Sequence, residues 1–169
     1  SYGSRCQLPE TVTNALNQPM SLAYNYDFGV PSQLTDLNTL ITSWQHDDFG
    51  RPTRESRPDG TRTDWTYAAC STPPCWGVND LRFLVSEYPI ASNGASINTR
   101  YLFYDGLDRL RYDEYYQVLG TWTNEAFSYD SLGRLTTRFQ PYSTTSNGYR
   151  IWAYDPLGRV TFERLYQPG

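Results

Sequence analysis

The feature that most constrains this chain is a short phrase that returns at a fixed interval. "YDGLDRL" begins at Tyr104, "YDSLGRL" at Tyr129 and "YDPLGRV" at Tyr154, so the phrase recurs every 25 residues. A constant period of this length is typical of a supersecondary unit that stacks on copies of itself. The sequence therefore predicts a chain built by repetition of one small unit.

Weaker copies of the phrase precede the clear ones. "HDDFGR" places His46 at the tyrosine position, and "YDFG" begins at Tyr26 with one residue fewer between its aspartate and its glycine. Between these copies and Tyr104 we expect one strongly altered repeat, in which "YAACSTPPC" replaces the usual turn. We predict a single repeat region, 1–169, divided into leading strands (1–25), repeats (26–67), an altered repeat with a cysteine loop (68–98) and three clear repeats (99–169).

Each part of the phrase has a role in a turn. Aspartate accepts backbone N–H groups at the start of a turn, proline presets the next φ, and glycine supplies the positive φ that ends it. The flanking stretches "RLTTRFQ" and "YRIWAY" alternate between apolar and polar side chains, as strands do. The residues expected to build the turns are Tyr104, Asp105, Arg109, Tyr129, Asp130, Gly133, Arg134, Tyr154, Asp155, Gly158 and Arg159.

These units predict an all-β fold. Two strands and two turns fill one period of the repeat, and a single hairpin is only marginally stable in water. We therefore expect the hairpins to pair edge to edge in one long, curved antiparallel sheet. The 15 tyrosines, 12 glycines and 11 prolines fit a β-rich protein with many turns.

Charge and hydropathy exclude two classes of partner. The net charge is −4, so the chain lacks the basic character of a nucleic-acid-binding protein, and no apolar run is long enough to span a membrane. All 14 basic residues are arginine. The planar guanidinium suits a sheet rich in tyrosine and aspartate, although a genome biased towards arginine codons would explain this composition equally well.

The cysteines indicate an oxidising environment. Cys70 and Cys75 enclose two prolines in "CSTPPC", a spacing that favours a small disulfide loop and leaves Cys6 free or paired between chains. Zinc is the alternative, but it would need Cys6 and His46 as the remaining ligands. A disulfide points to an extracellular or secreted protein, with a bacterial cell surface as the expected location.

The repeated phrase resembles the YD repeat, also called the RHS repeat, of bacterial Rhs proteins, insecticidal toxin complexes and animal teneurins. The resemblance covers the chain from about Tyr26 onwards, with Asp108 in place of glycine and His46 in place of tyrosine. It implies a hollow β-shell that encloses, displays or delivers a partner such as a toxin. The expected partners are therefore further YD repeats, or copies of this chain that pair along strand edges.

No residue pattern in the chain predicts catalysis, a metal or a cofactor. His46 is the only histidine and occupies a structural position of the repeat, which argues against nucleophilic catalysis. Turn geometry accounts for most of the regularly placed aspartates. The remaining acidic candidates for glycoside hydrolysis, which have no motif around them, are Glu87, Asp113, Glu114 and Glu125.

Two alternatives to a shell segment stay open. The five tryptophans could form platforms for a surface glycan, which would make the chain an adhesion or carbohydrate-binding module. Aromatic residues in a sheet are, however, more often paired across strands than bound to a ligand. Unpaired strand edges could instead let copies of the chain assemble into an extracellular fibre.

Overall fold

The chain folds entirely into β-structure. A computed structural model describes residues 1–2, 8–70, 75, 80–117, 120–143 and 148–167. Thirteen antiparallel strands form one sheet in which the strand order follows the chain order, and the described residues contain no helix. The predicted fold class, stacked antiparallel hairpins in one sheet, is confirmed. Accordingly, these residues include no helix with the length and hydrophobicity needed to cross a membrane.

The strands are short, and most contain five to eight residues. They are β1 (Thr11–Thr13), β2 (Pro19–Asn25), β3 (Val30–Thr35), β4 (Ile41–His46), β5 (Pro52–Ser56), β6 (Arg62–Ala69), β7 (Leu81–Ile90), β8 (Arg100–Asp105), β9 (Leu110–Tyr116), β10 (Trp122–Tyr129), β11 (Leu135–Phe139), β12 (Tyr149–Tyr154) and β13 (Val160–Tyr166).

The strands belong to two compact units. The first comprises Ser1–Trp65 with Tyr88–Ile97, and the second comprises Thr66–Glu87 with Asn98–Gly169. The second unit contains the three clear repeats and the cysteine pair. Cys6, whose pairing the sequence left open, lies outside the described residues.

One turn geometry recurs throughout the described chain. In nine connections the first residue donates its N–H to the carbonyl of the fifth, and the fourth donates to the carbonyl of the first. The fourth residue always has a positive φ, which is the pattern of a type I turn closed by a left-handed residue. The fourth residues are Asn17, Thr39, Gly50, Gly60, Gly94, Asp108, Gly120, Gly133 and Gly158.

Asp108 shows why the glycine of the phrase can be replaced. Its φ of 56° lies in the left-handed region, which aspartate and asparagine enter more readily than other residues with a Cβ atom. The turn that begins at Asp105 therefore keeps the same hydrogen bonds as its neighbours. Aspartate can therefore replace glycine at this position without a change in the backbone path.

The structure differs from the sequence interpretation at the first weak copy. The turn between β2 and β3 begins at Asn25, whose side-chain oxygen accepts the N–H of Asp27 at 3.0 Å. Gly29 donates its N–H to the Asn25 carbonyl at 2.9 Å, so this loop is one residue longer than the others rather than one shorter. Tyr24, and not Tyr26, stands just before the turn, and its hydroxyl donates to the Pro9 carbonyl at 2.9 Å. The sequence missed this register because asparagine replaces aspartate at the turn.

A small apolar core lies in the second unit. It contains Leu81 and Leu84 of β7, Phe103 of β8, and Cys75. Cys70 and Cys75 are joined by a disulfide, and the backbone N–H of Cys70 donates to the Arg82 carbonyl at 2.9 Å. Between β6 and β7, where a YD turn would stand, the disulfide thus joins Cys70 to Cys75, and both cysteines contact the core.

Candidate functional site

The aspartate of each YD turn holds both the backbone and an arginine. Oδ1 of Asp130 accepts the N–H groups of Leu132 and Arg134, each at 2.9 Å, and Oδ2 accepts Nε of Arg134 at 2.7 Å. The same three hydrogen bonds occur in the turns that begin at Asp47, Asp105 and Asp155. One side chain therefore shapes the turn and orients the guanidinium four residues later.

These hydrogen bonds keep the aspartates ionised. The backbone N–H and the guanidinium of Arg134 lower the pKa of Asp130, and those of Arg159 lower the pKa of Asp155. Burial opposes this effect at Asp105, but the hydrogen bonds from Arg109 and from the Leu107 N–H still lower the pKa of that carboxyl. A carboxylate held in this way suits a structural anchor better than a general acid, which needs a raised pKa.

Two of these arginines, Arg109 and Arg134, also contact the tyrosine of the next repeat. The guanidinium carbon of Arg109 lies 5.0 Å from the ring centroid of Tyr129, and that of Arg134 lies 4.7 Å from the ring centroid of Tyr154. Both distances fall in the range of a cation–π interaction. The turn residues predicted from the sequence are therefore brought together across repeats as well as within them.

Backbone hydrogen bonds complete the contact between repeats. Tyr154 donates its hydroxyl to the Leu135 carbonyl at 2.8 Å, and Nη1 of Arg134 donates to the Asp155 carbonyl at 3.0 Å. Tyr129 and Arg109 make the corresponding bonds one repeat earlier, at 2.8 and 3.4 Å. We call this arrangement the inter-repeat lock: the arginine and aspartate of one turn, with the tyrosine and the aspartate carbonyl of the next.

The lock explains why arginine occupies these positions. Arg134 uses Nε for its own aspartate, Nη1 for the next turn, and the face of the guanidinium for the Tyr154 ring. Lysine carries one nitrogen and no planar face, so it could not make the three contacts together.

The series of locks changes at both of its ends. Tyr104 packs beside Phe83, with ring centroids 6.4 Å apart, because the cysteine loop precedes it in place of a YD turn. Arg159 keeps its own aspartate, but 75% of its side chain is exposed, against 26% for Arg134. In the part of the chain that the structure describes, no tyrosine ring covers Arg159.

A row of ion pairs runs through the three clear hairpins. Arg100 pairs with Asp113 at 2.6 Å, Arg138 with Glu125 at 2.8 Å and Arg150 with Glu163 at 2.7 Å. In the sequence, residues 100, 125 and 150 read Arg, Glu, Arg, while 113, 138 and 163 read Asp, Arg, Glu. Sequence interpretation missed these pairs. A signal was present, because both positions change the sign of their charge from one repeat to the next, and they change it together.

Strand register places like charges opposite each other between hairpins. Asp113 lies directly across from Glu125, and Arg138 directly across from Arg150. Asp113 and Glu125 are nearly buried, and each is neutralised by the arginine of its own hairpin. Two of the carboxylates considered for catalysis are therefore held in ion pairs.

The other two carboxylates considered for catalysis have different surroundings. Glu87 is 3.6 Å from Arg100. Glu114 lies one residue along β9 from Asp113 and so points to the opposite face of the sheet, where burial raises its pKa. Among the described residues, no group of three or more metal-ligating side chains could hold an ion.

Two of the described tryptophans, Trp122 and Trp152, have separate surroundings. Trp122 stacks on Tyr101 with ring centroids 5.3 Å apart, while Trp152 lines a small cavity between β11, β12 and β13. Trp76 lies outside the described residues.

The fold of this chain is similar to parts of several solved structures. No family profile and no curated protein matches the chain. The crystal structure of TcdB2-TccC3 matches with a TM-score of 0.70 and 17% identity, and its form without the hypervariable C-terminal region with 0.69 and 14%. The structure of the Photorhabdus luminescens Tc holotoxin pore matches with a TM-score of 0.62 and 18% identity.

These matches cover nearly all of this chain and a small part of the others. The alignments include 95, 95 and 94% of this chain, but 11, 13 and 8% of the respective matched chains. The chain thus spans about a tenth of the length of the structures that it resembles. At this level of identity the likeness shows a shared fold.

Proposed function

We propose that this chain is a non-catalytic structural protein, a wall segment of an extracellular YD-repeat shell that encloses, displays or delivers a partner such as a toxin. The inter-repeat lock is the observation that carries the proposal. The polar side chains that recur most regularly in the sequence join one hairpin to the next. They include Asp130, Arg134 and Tyr154. A chain whose regular side chains serve to join hairpins is suited to forming a continuous wall, a role that needs no catalytic groups.

The shared fold supports the same interpretation. The matched structures are TcdB2-TccC3, one form of which was determined without its hypervariable C-terminal region, and a Tc holotoxin pore. A sheet of hairpins that extends by addition of identical units suits a container wall. The Cys70–Cys75 disulfide fits a secreted location, where oxidising conditions preserve such bonds.

The partner of the turn that begins at Asp155 is another tyrosine-bearing hairpin. Arg159 is oriented by Asp155 as Arg134 is by Asp130, and no ring among the described residues covers its exposed guanidinium. Further YD repeats, or a second copy of this chain, would supply that ring and pair with the outer edge of β13.

Addition of one hairpin tests this wall-building role. A variant that carries a second copy of residues 145–169 after residue 169 should gain one lock, and its melting temperature should rise by about 2–4 °C. The matched control carries Tyr154→Leu in the appended copy, which removes the ring and the hydroxyl that complete the lock. An appended hairpin that stays protease-sensitive and leaves the melting temperature unchanged would contradict the proposal.

A further inference from the structure

A cavity on one face of the last two hairpins is not used by the inter-repeat locks. It has a volume of about 320 Å³ and is lined by Arg138 and Gln140, by Arg150 and Trp152 of β12, and by Leu165 of β13. Its size lies at the lower end of the range for small-molecule sites, which bury an apolar part of a ligand and orient it with a few polar groups. The cavity has room for a ring-sized ligand with a polar substituent.

Two guanidinium groups meet at this cavity. Arg138 and Arg150 are directly opposite in the register of β11 and β12. Like charges in this position destabilise a strand pair. An anion between the two side chains would convert this repulsion into two charge-assisted contacts.

The two arginines differ in how firmly they are held. Arg138 directs Nε and Nη2 to one oxygen of Glu125, a carboxylate with only 11% of its side chain exposed. Arg150 reaches Glu163 through Nη1 alone, and both side chains of that pair are 48% exposed. An exposed pair of this kind contributes little to stability. Nε and Nη2 of Arg150, which donate to no described residue, form the free side of a fork that fits a carboxylate.

The rest of the cavity is suited to a sugar ring. Trp152 offers an aromatic surface, and Leu165, which is directly opposite Arg150 on β13, extends the apolar wall. The amide of Gln140 can donate to or accept from a hydroxyl group. An apolar wall beside two cations matches a pyranose that has an apolar face and a carboxylate substituent.

We propose that this cavity binds a carboxylate-bearing sugar residue, with the carboxylate between Arg138 and Arg150 and the ring against Trp152. The proposal does not depend on the wall-building role. It assigns a ligand to one face of the last hairpins, whereas the locks lie at the turns.

The site is specific to these hairpins. One period earlier, the positions of Arg138, Arg150 and Trp152 are occupied by Asp113, Glu125 and Phe127. Two carboxylates then face each other where the proposed site has two guanidinium groups. The repeat unit alone therefore does not create the site. The replacement of two carboxylates by Arg138 and Arg150 makes the contact between β11 and β12 selective for an anion.

Calorimetric titration of the full 169-residue chain with a trimer of galacturonic acid tests the assignment. The fully methyl-esterified trimer has the same rings without the charge, and acetate has the charge without the ring. We expect the acidic trimer to bind at least about tenfold more tightly than either comparison ligand, because each lacks one of the two kinds of contact. Equal binding of the ester, or of acetate, would overturn the assignment to an acidic sugar, as would failure of the acidic trimer to bind.

Two variants locate the binding. Arg150→Gln should weaken it about tenfold, and Trp152→Leu about fivefold or more. Arg150 is the safer arginine to change because its partner Glu163 stays solvated, whereas removal of Arg138 would leave Glu125 buried without a partner. The matched control is Arg164→Gln, since Arg164 pairs in register with Ile151 and so lies on the opposite face of β13.

The control keeps the test decisive. Arg164→Gln removes one positive charge next to Leu165 in sequence and should bind as the unchanged chain does. Wild-type binding by Arg150→Gln in a folded protein, verified by its circular dichroism, would overturn the proposal. Equal weakening in Arg164→Gln would also overturn it, because binding would then follow net charge instead of this cavity.

Discussion

The guanidinium carbon of Arg134 lies 4.7 Å from the ring centroid of Tyr154, a residue of the following repeat. Arg109 and Tyr129 stand in the same relation one repeat earlier, at 5.0 Å. A YD turn is thus complete only when the next hairpin is in place. Stability in this sheet is carried by contacts between units as well as within them, as expected of repeat proteins.

Replacement of the stacked arginine should weaken the sheet even when the charge is kept. Arg134→Lys loses the hydrogen bond to the Asp155 carbonyl and the planar contact with Tyr154, and should lower the free energy of unfolding by about 1–2 kcal/mol. Urea denaturation measures the change. Arg159→Lys is the control, because Arg159 reaches no tyrosine among the described residues, and it should cost clearly less. Equal losses in the two variants would show that the lock adds nothing to the turn itself.

A β-branched residue at the fourth turn position should destabilise the fold. Gly133 and Gly158 have φ values of 81° and 83°, which valine adopts only with strain. Gly133→Val and Gly158→Val should each cost roughly 1 kcal/mol or more, as measured by thermal unfolding. The space around Gly158 is open, so the cost there reports the backbone alone. Gly158→Asn is the control and should cost less, because Asn17 holds the corresponding position of another turn. A valine variant as stable as wild type would place the glycine in a different conformation.

The leucine of the repeated phrase should contribute little to stability. Leu132 and Leu157 are 73 and 77% exposed at the tips of their turns. Leu132→Ser and Leu157→Ser should change the free energy of unfolding by no more than about 0.5 kcal/mol, whereas Leu84→Ala in the core should cost about 2–5 kcal/mol. Chemical denaturation of the three variants makes the comparison. A large loss in either serine variant would mean that these tips are covered in solution.

Carboxylates on this sheet should respond to pH in opposite directions. The folded pKa of Asp130 is lowered, so its ionised form stabilises the fold above the unfolded pKa of about 3.9, and this stabilisation is lost as the pH falls through the folded pKa. Asp130→Asn should therefore be less stable than wild type at pH 7, with a difference that closes in acid. Unfolding measured from pH 7 down to pH 2 tests this sign.

Glu114 provides the opposite case within the same experiment. Burial raises its folded pKa, so the ionised form costs stability as the pH rises above the unfolded pKa of about 4.3. Glu114→Gln should be more stable than wild type at pH 7, and the gain should disappear at lower pH. A variant less stable than wild type at neutral pH would show that Glu114 has a stabilising partner in solution.

Open strand edges should lead the chain to associate with itself. β13 is the last strand of the sheet, and its exposed Val160 and Phe162 lie along an edge that pairs with no further described strand. We expect light scattering to show oligomers of the 169-residue chain, and fewer of them when residues 1–23, which include β1, are removed. Stable monomers of both chains at high concentration would argue against assembly and in favour of a separate binding module.

Local chemistry allowed the sequence by itself to determine the all-β class and the position of the turns that begin at Asp105, Asp130 and Asp155. Aspartate, glycine and alternating side chains act within a few residues, so their effect can be read without a partner strand. The same local logic failed at Asn25, where a different residue begins a longer loop.

Only the tertiary structure decided which side chains meet across hairpins. Arg134 and Tyr154 are 20 positions apart in the chain, and Arg138 faces Arg150 because of the register between β11 and β12. Bulges beside Tyr129 and Tyr154 also shift the pairing by one residue within the β10–β11 and β12–β13 hairpins. Because a shift of one residue reverses the face of every following side chain, the inter-repeat locks and the two-arginine cavity follow from the assembled sheet and not from the repeat alone.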